Sequence, residues 1–399
     1  MFRITATLGL AAALALPSLA MAQQAPAPAW AQGRPDSMAN STLAPVPPKL
    51  TVTPPDQVPV NRLRLPEGFK AELWAHGMPG ARMMALGSNG TVFVGTRTIG
   101  RVYAVMDQGG QRQVRIIAQG LKQPNGVAFR DGALYVVAIN RVLRYDNIES
   151  KLDNPGTPVD LTSAFALPTE EHHGWKFTIF GPDGKLYMQV GAPCNICQID
   201  ENRHALLVRF NPDGSGREIV ARGVRNSVGM AHHPQTGQLW FTSNGRDWAG
   251  EDEPEDILGV VQRMGEHFGF PYCHAGTMQD PDVKGRQCSE FSPPALKLGP
   301  HVAALGMRFY TGSMFPAEYR NNIFIARHGS WNRTQRSGYD VVRVSFDAQG
   351  RPQMQPFMTG LLEGNNFYGR PTDVQQLPDG SLLVSDEQAG AIYRITYQR

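Results

Sequence analysis

Two adjacent histidine pairs stand out in this chain of 399 residues: His172-His173, at the head of "HHGWKFTIFGPDGKLYMQVGAPCNIC", and His232-His233, in "GMAHHPQTGQLWF". A neutral imidazole can accept a proton near physiological pH, so either pair could hold a general base. Arginines paired with asparagines suggest a second chemistry, since guanidinium groups grip carboxylates bidentately and stack on flat rings. A small planar dicarboxylate or tricarboxylate fits such a set. The stretch "SNGRDWAGEDEPEDILG" adds carboxylates and exposed carbonyls of the kind a hard cation such as calcium prefers. Its spacing does not match the twelve-residue calcium loop of helical sensors, so a solvated acidic loop is an equal reading.

These side chains act together only if the fold gathers them. From about residue 80 one pattern recurs: polar loop, short apolar strand, turn commonly reading Asp-Gly, second apolar strand. Six units carry it, with turn-and-strand cores beginning at Thr91, Ala133, Lys185, Gln238, Asn322 and Ser381. The spacing is about 40 to 60 residues apart from one longer gap that holds an insertion. Asp-Gly between alternating apolar segments signals a hairpin, because the primed turn needs positive φ. Repeated hairpins without amphipathic helices between them predict an all-β fold, a six-bladed β-propeller. A β-sandwich would also give short strands, but not six copies of one unit.

In such a blade the loop before the first strand and the loop after the second share one face, and the hairpin turn lies on the other. This sorts the polar residues. Arg82, Asn125, His173, Arg225 with Asn226, His301 and Arg370 precede first strands. Arg97, Asn140, Asn244 to Asp247, Arg327 with His328, and Asp386 follow second strands. All are expected at one mouth of the channel. His232 and His233 flank the turn "HPQTG" and belong to the opposite face.

The remaining features bound the setting. "MFRITATLGLAAALALPSLAMAQQ" reads as a signal peptide over residues 1–22, which points to a periplasmic or secreted protein. Residues 23–62, rich in Pro and Ala, read as an extended arm or linker, and residues 63–399 as the propeller domain. No later run predicts a transmembrane segment. Formal charge of +3 with scattered basic residues gives no sign of nucleic acid binding. In an oxidising compartment the four cysteines pair most simply as Cys194 with Cys197 and Cys273 with Cys288, with three connectivities open. Their spacings lack the rhythm of a zinc site, and Gln198 stands where haem attachment needs histidine.

The stretches quoted above, with "ARGVRNSVGMAHHPQTGQLWFTSNGRDWAGEDEPED", "HFGFPYCHAG", "GMRFYTGSMFP" and "IARHGSWNR", resemble the pyrroloquinoline quinone (PQQ)-dependent soluble glucose/sorbosone dehydrogenases, closest to the sorbosone dehydrogenase-like branch. The similarity runs from about Leu65 to Tyr397. It implies oxidation of an aldose or sugar aldehyde by hydride transfer to PQQ, with calcium as a second cofactor. An external electron acceptor, quinone or cytochrome, would follow, unidentified by any motif. His173, with His172 as the fallback, matches the family's general base. Arg225 and Asn226 match its quinone-contacting pair, and Arg370 matches a last-blade arginine. Arg82 joins this set from its place at the mouth. A fifth-blade basic residue could be Arg327, His328 or Arg333. Gly245 and Arg246 match the calcium-binding carbonyls, with Asp247 a side-chain addition. A calcium-dependent propeller lactonase or hydrolase and a non-catalytic binding propeller are the alternatives.

Overall fold

The computed structural model describes residues 1–2 and 28–398, so the leader expected at 1–22 falls almost wholly outside the described residues. Six four-stranded units form a six-bladed β-propeller, as the repeat predicts. Their first strands are Met84–Leu86, Gly126–Arg130, Thr178–Phe180, Gly229–His232, Ala304–Phe309 and Pro371–Gln376. Each packs on the next, and the last packs on the first, which closes a ring around the channel. Every first strand pairs antiparallel with the strand after it. Entry and exit loops therefore share one face and the hairpin turns the other. At Asp131-Gly132 both turn residues have positive φ, 49° and 77°, as a primed turn requires. At Asp183-Gly184 only the glycine does, φ 80°, within a longer turn closed by the Gly181 N–H on the Lys185 carbonyl.

Blade-on-blade packing explains why the second strands are dominated by apolar residues. Leu186–Val190 and Ala133–Val137 are buried along their whole length because both sheet faces meet a neighbouring blade. The insertion lies within the fourth blade, between Glu255–Val260 and Leu296–Pro300. Its Glu266–His267 segment adds a fifth, parallel strand to the third blade beside Glu218–Arg222. Both expected disulfides are formed, Cys194–Cys197 and Cys273–Cys288. No helix among the described residues is long and apolar enough to cross a membrane.

The ring is closed by Phe69–Ala75, which pairs with Ala391–Tyr397 as the outermost strand of the last blade. Phe69 anchors this closure, its ring 4.8–5.1 Å from those of Phe315, Tyr319, Phe357 and Tyr397. Phe69→Ala should therefore cost about 3–5 kcal/mol, the range for emptying a buried aromatic site. Urea unfolding monitored by circular dichroism checks this, and an unchanged midpoint would show that the closure does not depend on this ring.

Candidate active site

A cavity of about 500 Å³ opens at the loop face of the channel, in the size range of a small-molecule site. Its wall includes His172, His173, Arg82, Arg97, Arg225, Asn226, Gly245, Asp247, His328 and Arg370, drawn from all parts of the ring. The other histidine pair is elsewhere, as its turn position requires. His232 Nδ1 lies 3.0 Å from the Gly237 carbonyl, and His233 Nδ1 accepts the Gln235 and Thr236 N–H groups, so both imidazoles cap their own turn.

His173 begins the run into the third blade's first strand in a left-handed conformation, φ 50°. Gly191 permits this close packing, because a Cβ there would come within 2.5 Å of the His173 Cβ. His173 Nδ1 lies 3.0 Å from the Ala192 carbonyl. A carbonyl only accepts, so Nδ1 carries the hydrogen and Nε2 the lone pair. Nε2 has no protein partner among the described residues. Burial first, then the Arg225 cation and His172, holds the His173 pKa well below the usual imidazole value. His172, edge-on at 4.1 Å between ring centroids, is pushed down to about 4 by burial and then Arg225. Its buried Nε2 has no partner. Behind the pair, Lys176 pins the loop by donating to the Gly174 carbonyl at 2.6 Å and the Pro168 carbonyl at 3.3 Å.

On another part of the wall three arginines meet one carboxylate. Arg82 donates from Nε to Asn125 Oδ1 at 2.9 Å and from Nη1 to Glu387 Oε2 at 2.8 Å. Arg370 donates to the His328 and Gly329 carbonyls. Arg97 stacks over Trp175 at 3.8 Å and has only a 3.4 Å contact to Gln123. Its pKa falls to about 10, through burial first and then Arg82, so it stays cationic at neutral pH. Burial alone would raise Glu387, but Arg82 and then His328 and Arg97 outweigh it and hold the carboxyl well below its ordinary range. His328 Nε2 sits 2.8 Å from the same carboxylate, without hydrogen-bond alignment, and burial pushes it down to about 3. Three fixed cations thus face one anion, an excess that an anionic ligand would neutralise.

The third group of residues is more tightly self-satisfied than the spacing implied. Arg225 donates to the Asn195 carbonyl and side chain, the Asn244 carbonyl at 3.3 Å, the Gly245 carbonyl at 2.6 Å and Asp247 Oδ2 at 3.1 Å. All of its donors are used, so it lines the cavity as a charge rather than as a free hydrogen-bonding group. The Arg246 side chain is absent from the cavity wall. It is buried against Asp280 and Asp282 of the insertion, at 2.8 and 2.9 Å. Arg327 and Arg333 are also absent: a bidentate pair with Asp340 holds the first, and Asp252 holds the second at 2.6 Å. Of these three fifth-blade candidates His328 reaches the cavity, beside His301 from the loop before the same blade.

Glu387 and Asp256 line the wall outside the sequence-based set, and Asn195 stands behind it. Glu387 adjoins Asp386, which the topology places at the mouth, and no cation-rich motif marks it in the sequence. Asp256 closes the acidic stretch, accepts the Gly245 and Ala304 N–H groups, and is raised to about 6 by burial. Asn195, between the paired cysteines, links Arg225 to the Asp247 backbone. Asn226 Oδ1 is buried without a partner, an acceptor left open at the wall.

Residues 160–394 match the family model described as "Glucose / Sorbosone dehydrogenase". The chain is 31% identical over 353 residues to an uncharacterized protein of Borreliella burgdorferi, covering 85% of this chain and 92% of that one. It is 22% identical to the pyrroloquinoline quinone-dependent sugar dehydrogenase of Hypocrea jecorina, covering 82% of this chain and 87% of that one. The holo form of the pyranose dehydrogenase PQQ domain from Coprinopsis cinerea superposes with a TM-score of 0.69 at 18% identity, over 84% of this chain and 98% of that one. At that identity the likeness is one of fold.

Proposed function

Since this chain belongs to the Glucose / Sorbosone dehydrogenase family, we propose that it is a PQQ-dependent oxidoreductase acting on an aldose or a sorbosone-like sugar aldehyde. The observation that carries the reading is the excess of Arg82, Arg97 and Arg370 over Glu387 on one part of the cavity wall. A flat tricarboxylate fits it: Arg97 and Arg370 would grip carboxylates, and Trp175 offers an aromatic edge beside them. Bound there, PQQ would supply the two-electron acceptor for a hydride leaving the sugar carbon.

The residues of the chain then have separable tasks. His173 Nε2, the lone-pair nitrogen, takes the proton of the sugar hydroxyl, and the Ala192 carbonyl holds the ring in the tautomer that allows it. Burial and Arg225 disfavour the imidazolium, so the base remains available below the ordinary histidine range. A depressed pKa means that acid must go further before the lone pair is lost. We expect kcat/KM to stay level as pH falls through 6.5 and to decline only below it. An acid limb centred at or above 6.5 would contradict that environment for the base.

Calcium is the second group that the resemblance brings, at Gly245, Arg246 and Asp247. These residues do not fit it as they stand, because the Arg225 guanidinium lies against both the Gly245 carbonyl and the Asp247 carboxylate, where its charge opposes a second cation. The proton transfer above uses none of the three. A metal-dependent hydrolase would need a cluster of acidic or histidine side chains, and no group of three or more that could hold a metal forms among the described residues. The two disulfides support an oxidising compartment, periplasmic or external. Dye reduction by purified protein with added PQQ and calcium, across a panel of aldoses, sorbosone and lactones, tests the reading. Quinone-dependent oxidation of a sugar supports it; lactone hydrolysis without quinone would replace it.

A further inference from the structure

The Pro- and Ala-rich arm does more than connect. Ala29, Trp30 and Pro45 to Pro48 stand in the wall of the cavity itself. Its attachments around residues 30–34 are to loops that also serve the site. Asn195 donates its backbone N–H to Gln32 Oε1 at 2.9 Å and its side chain to the Gln32 carbonyl at 2.7 Å, and Gln32 Nε2 donates to the Ile196 carbonyl at 3.2 Å. Trp248 Nε1 donates to the Trp30 carbonyl at 2.7 Å. The Trp30 ring packs on Trp248 and Trp331, with centroids 6.4 and 5.8 Å apart, and Arg34 stacks over both Trp30 and Trp248. Gly33 passes close to Asn195 and Arg246 with φ 77°, where a side chain would be strained and crowded.

Of the six tryptophans in the chain, four, Trp30, Trp175, Trp248 and Trp331, gather at this mouth. Three of them line the cavity; Trp248 lies buried behind. An aromatic ring over a polar, arginine-lined cavity suits a ligand with an apolar face and a hydroxylated rim. Sugar rings are such ligands, since their C–H bonds cluster on one face. The cavity volume, shared with a planar cofactor, leaves room for a small substrate rather than a chain.

We propose that Trp30 is a specificity-determining residue, a platform for one face of a single sugar ring, and that the arm over residues 29–48 is a fixed outer wall that excludes a second sugar unit. The inference rests on the sugar-oxidising reading of the same cavity. It gives the arm's composition a purpose: prolines make a stiff wall that needs no strand partner.

Kinetics on the PQQ-loaded full chain, with glucose and with maltose, test it. Trp30→Ala should raise KM for glucose about 3- to 10-fold with kcat within about twofold, the size of one lost aromatic contact. Trp30→Phe should restore most of that loss. Gln32→Ala, which removes the two side-chain bonds tying the arm to residues 195 and 196 and spares the ring, should raise the maltose-to-glucose ratio of kcat/KM several-fold, and it decides the matter if Trp30→Ala does not fold. Quinone affinity, measured by equilibrium dialysis, should stay within about twofold in all three. Variants that match the wild type in KM for glucose and in the maltose ratio overturn the inference and leave the sugar-oxidising reading intact. A wild-type protein that binds PQQ and oxidises no sugar overturns that reading and the inference with it.

Discussion

His173→Ala should lower kcat by about two to four orders of magnitude, the usual contribution of a positioned general base, while quinone affinity stays near that of the wild type. The separation is expected because His173 shares the cavity with the arginine cluster without bonding to it: among the described residues the ring's one hydrogen bond is to the Ala192 carbonyl. The ring's placement depends on its neighbours, the left-handed backbone at 173, the bare Gly191 and the Lys176 clamp on the loop. Steady-state dye reduction beside equilibrium binding of the quinone checks both halves. His172→Ala provides the contrast. His172 has no partner for its buried Nε2 and packs edge-on against His173, so its loss should cost far less. Equal losses in the two variants would move the base away from Nε2 of His173.

Arg97→Ala carries the second large effect, on binding rather than on turnover. Arg82 and Arg370 spend donors on Glu387, Asn125 and backbone carbonyls, whereas Arg97 has a single weak side-chain partner and stays cationic. It is the guanidinium with most to offer a ligand carboxylate. A charge-assisted hydrogen bond contributes about 1.5–3 kcal/mol, so removing it should weaken quinone binding about 10- to 100-fold. Stability should change little, since its donors make only the 3.4 Å contact to Gln123. Arg82→Ala differs in kind. It removes the one arginine in direct ion-pair contact with the buried Glu387, and breaking such a pair costs about 3–5 kcal/mol. Quinone titration and thermal unfolding of both variants separate the two roles. Full quinone affinity in Arg97→Ala would show that the excess charge does not serve the ligand.

The propeller was legible because its grammar is local. Five of the six hairpins are announced by apolar residues and a turn with a positive-φ glycine, the fifth blade using Asn321 instead, and topology alone then assigns faces. That logic separated the two histidine pairs and brought Arg82, Arg225, Arg370 and His328 to one cavity. What it could not supply was the direction of each side chain. Arg327 follows a second strand as His328 does, yet Asp340 pairs with it on the neighbouring strand and removes it from the site. Arg246 is drawn away by Asp280 and Asp282 of an insertion whose contacts no repeat encodes. Arg225 is in the expected place but fully engaged, because Asn195 lies beside it, across 30 residues of sequence. The arm carried no periodic signal at all. Its contacts join residues 164 and 218 positions apart through one glutamine and one tryptophan.

The most direct test is a single-turnover experiment without any electron acceptor. Quinone-loaded wild-type protein is mixed anaerobically with glucose or sorbosone, and the absorbance of the oxidised quinone is followed beside the same mixture with His173→Ala. The account predicts loss of that absorbance, one equivalent per site, in the wild type, and quinone binding without that loss in the variant. Wild-type protein that fails to bind PQQ, or a His173→Ala variant that consumes the signal as fast as the wild type, would contradict it.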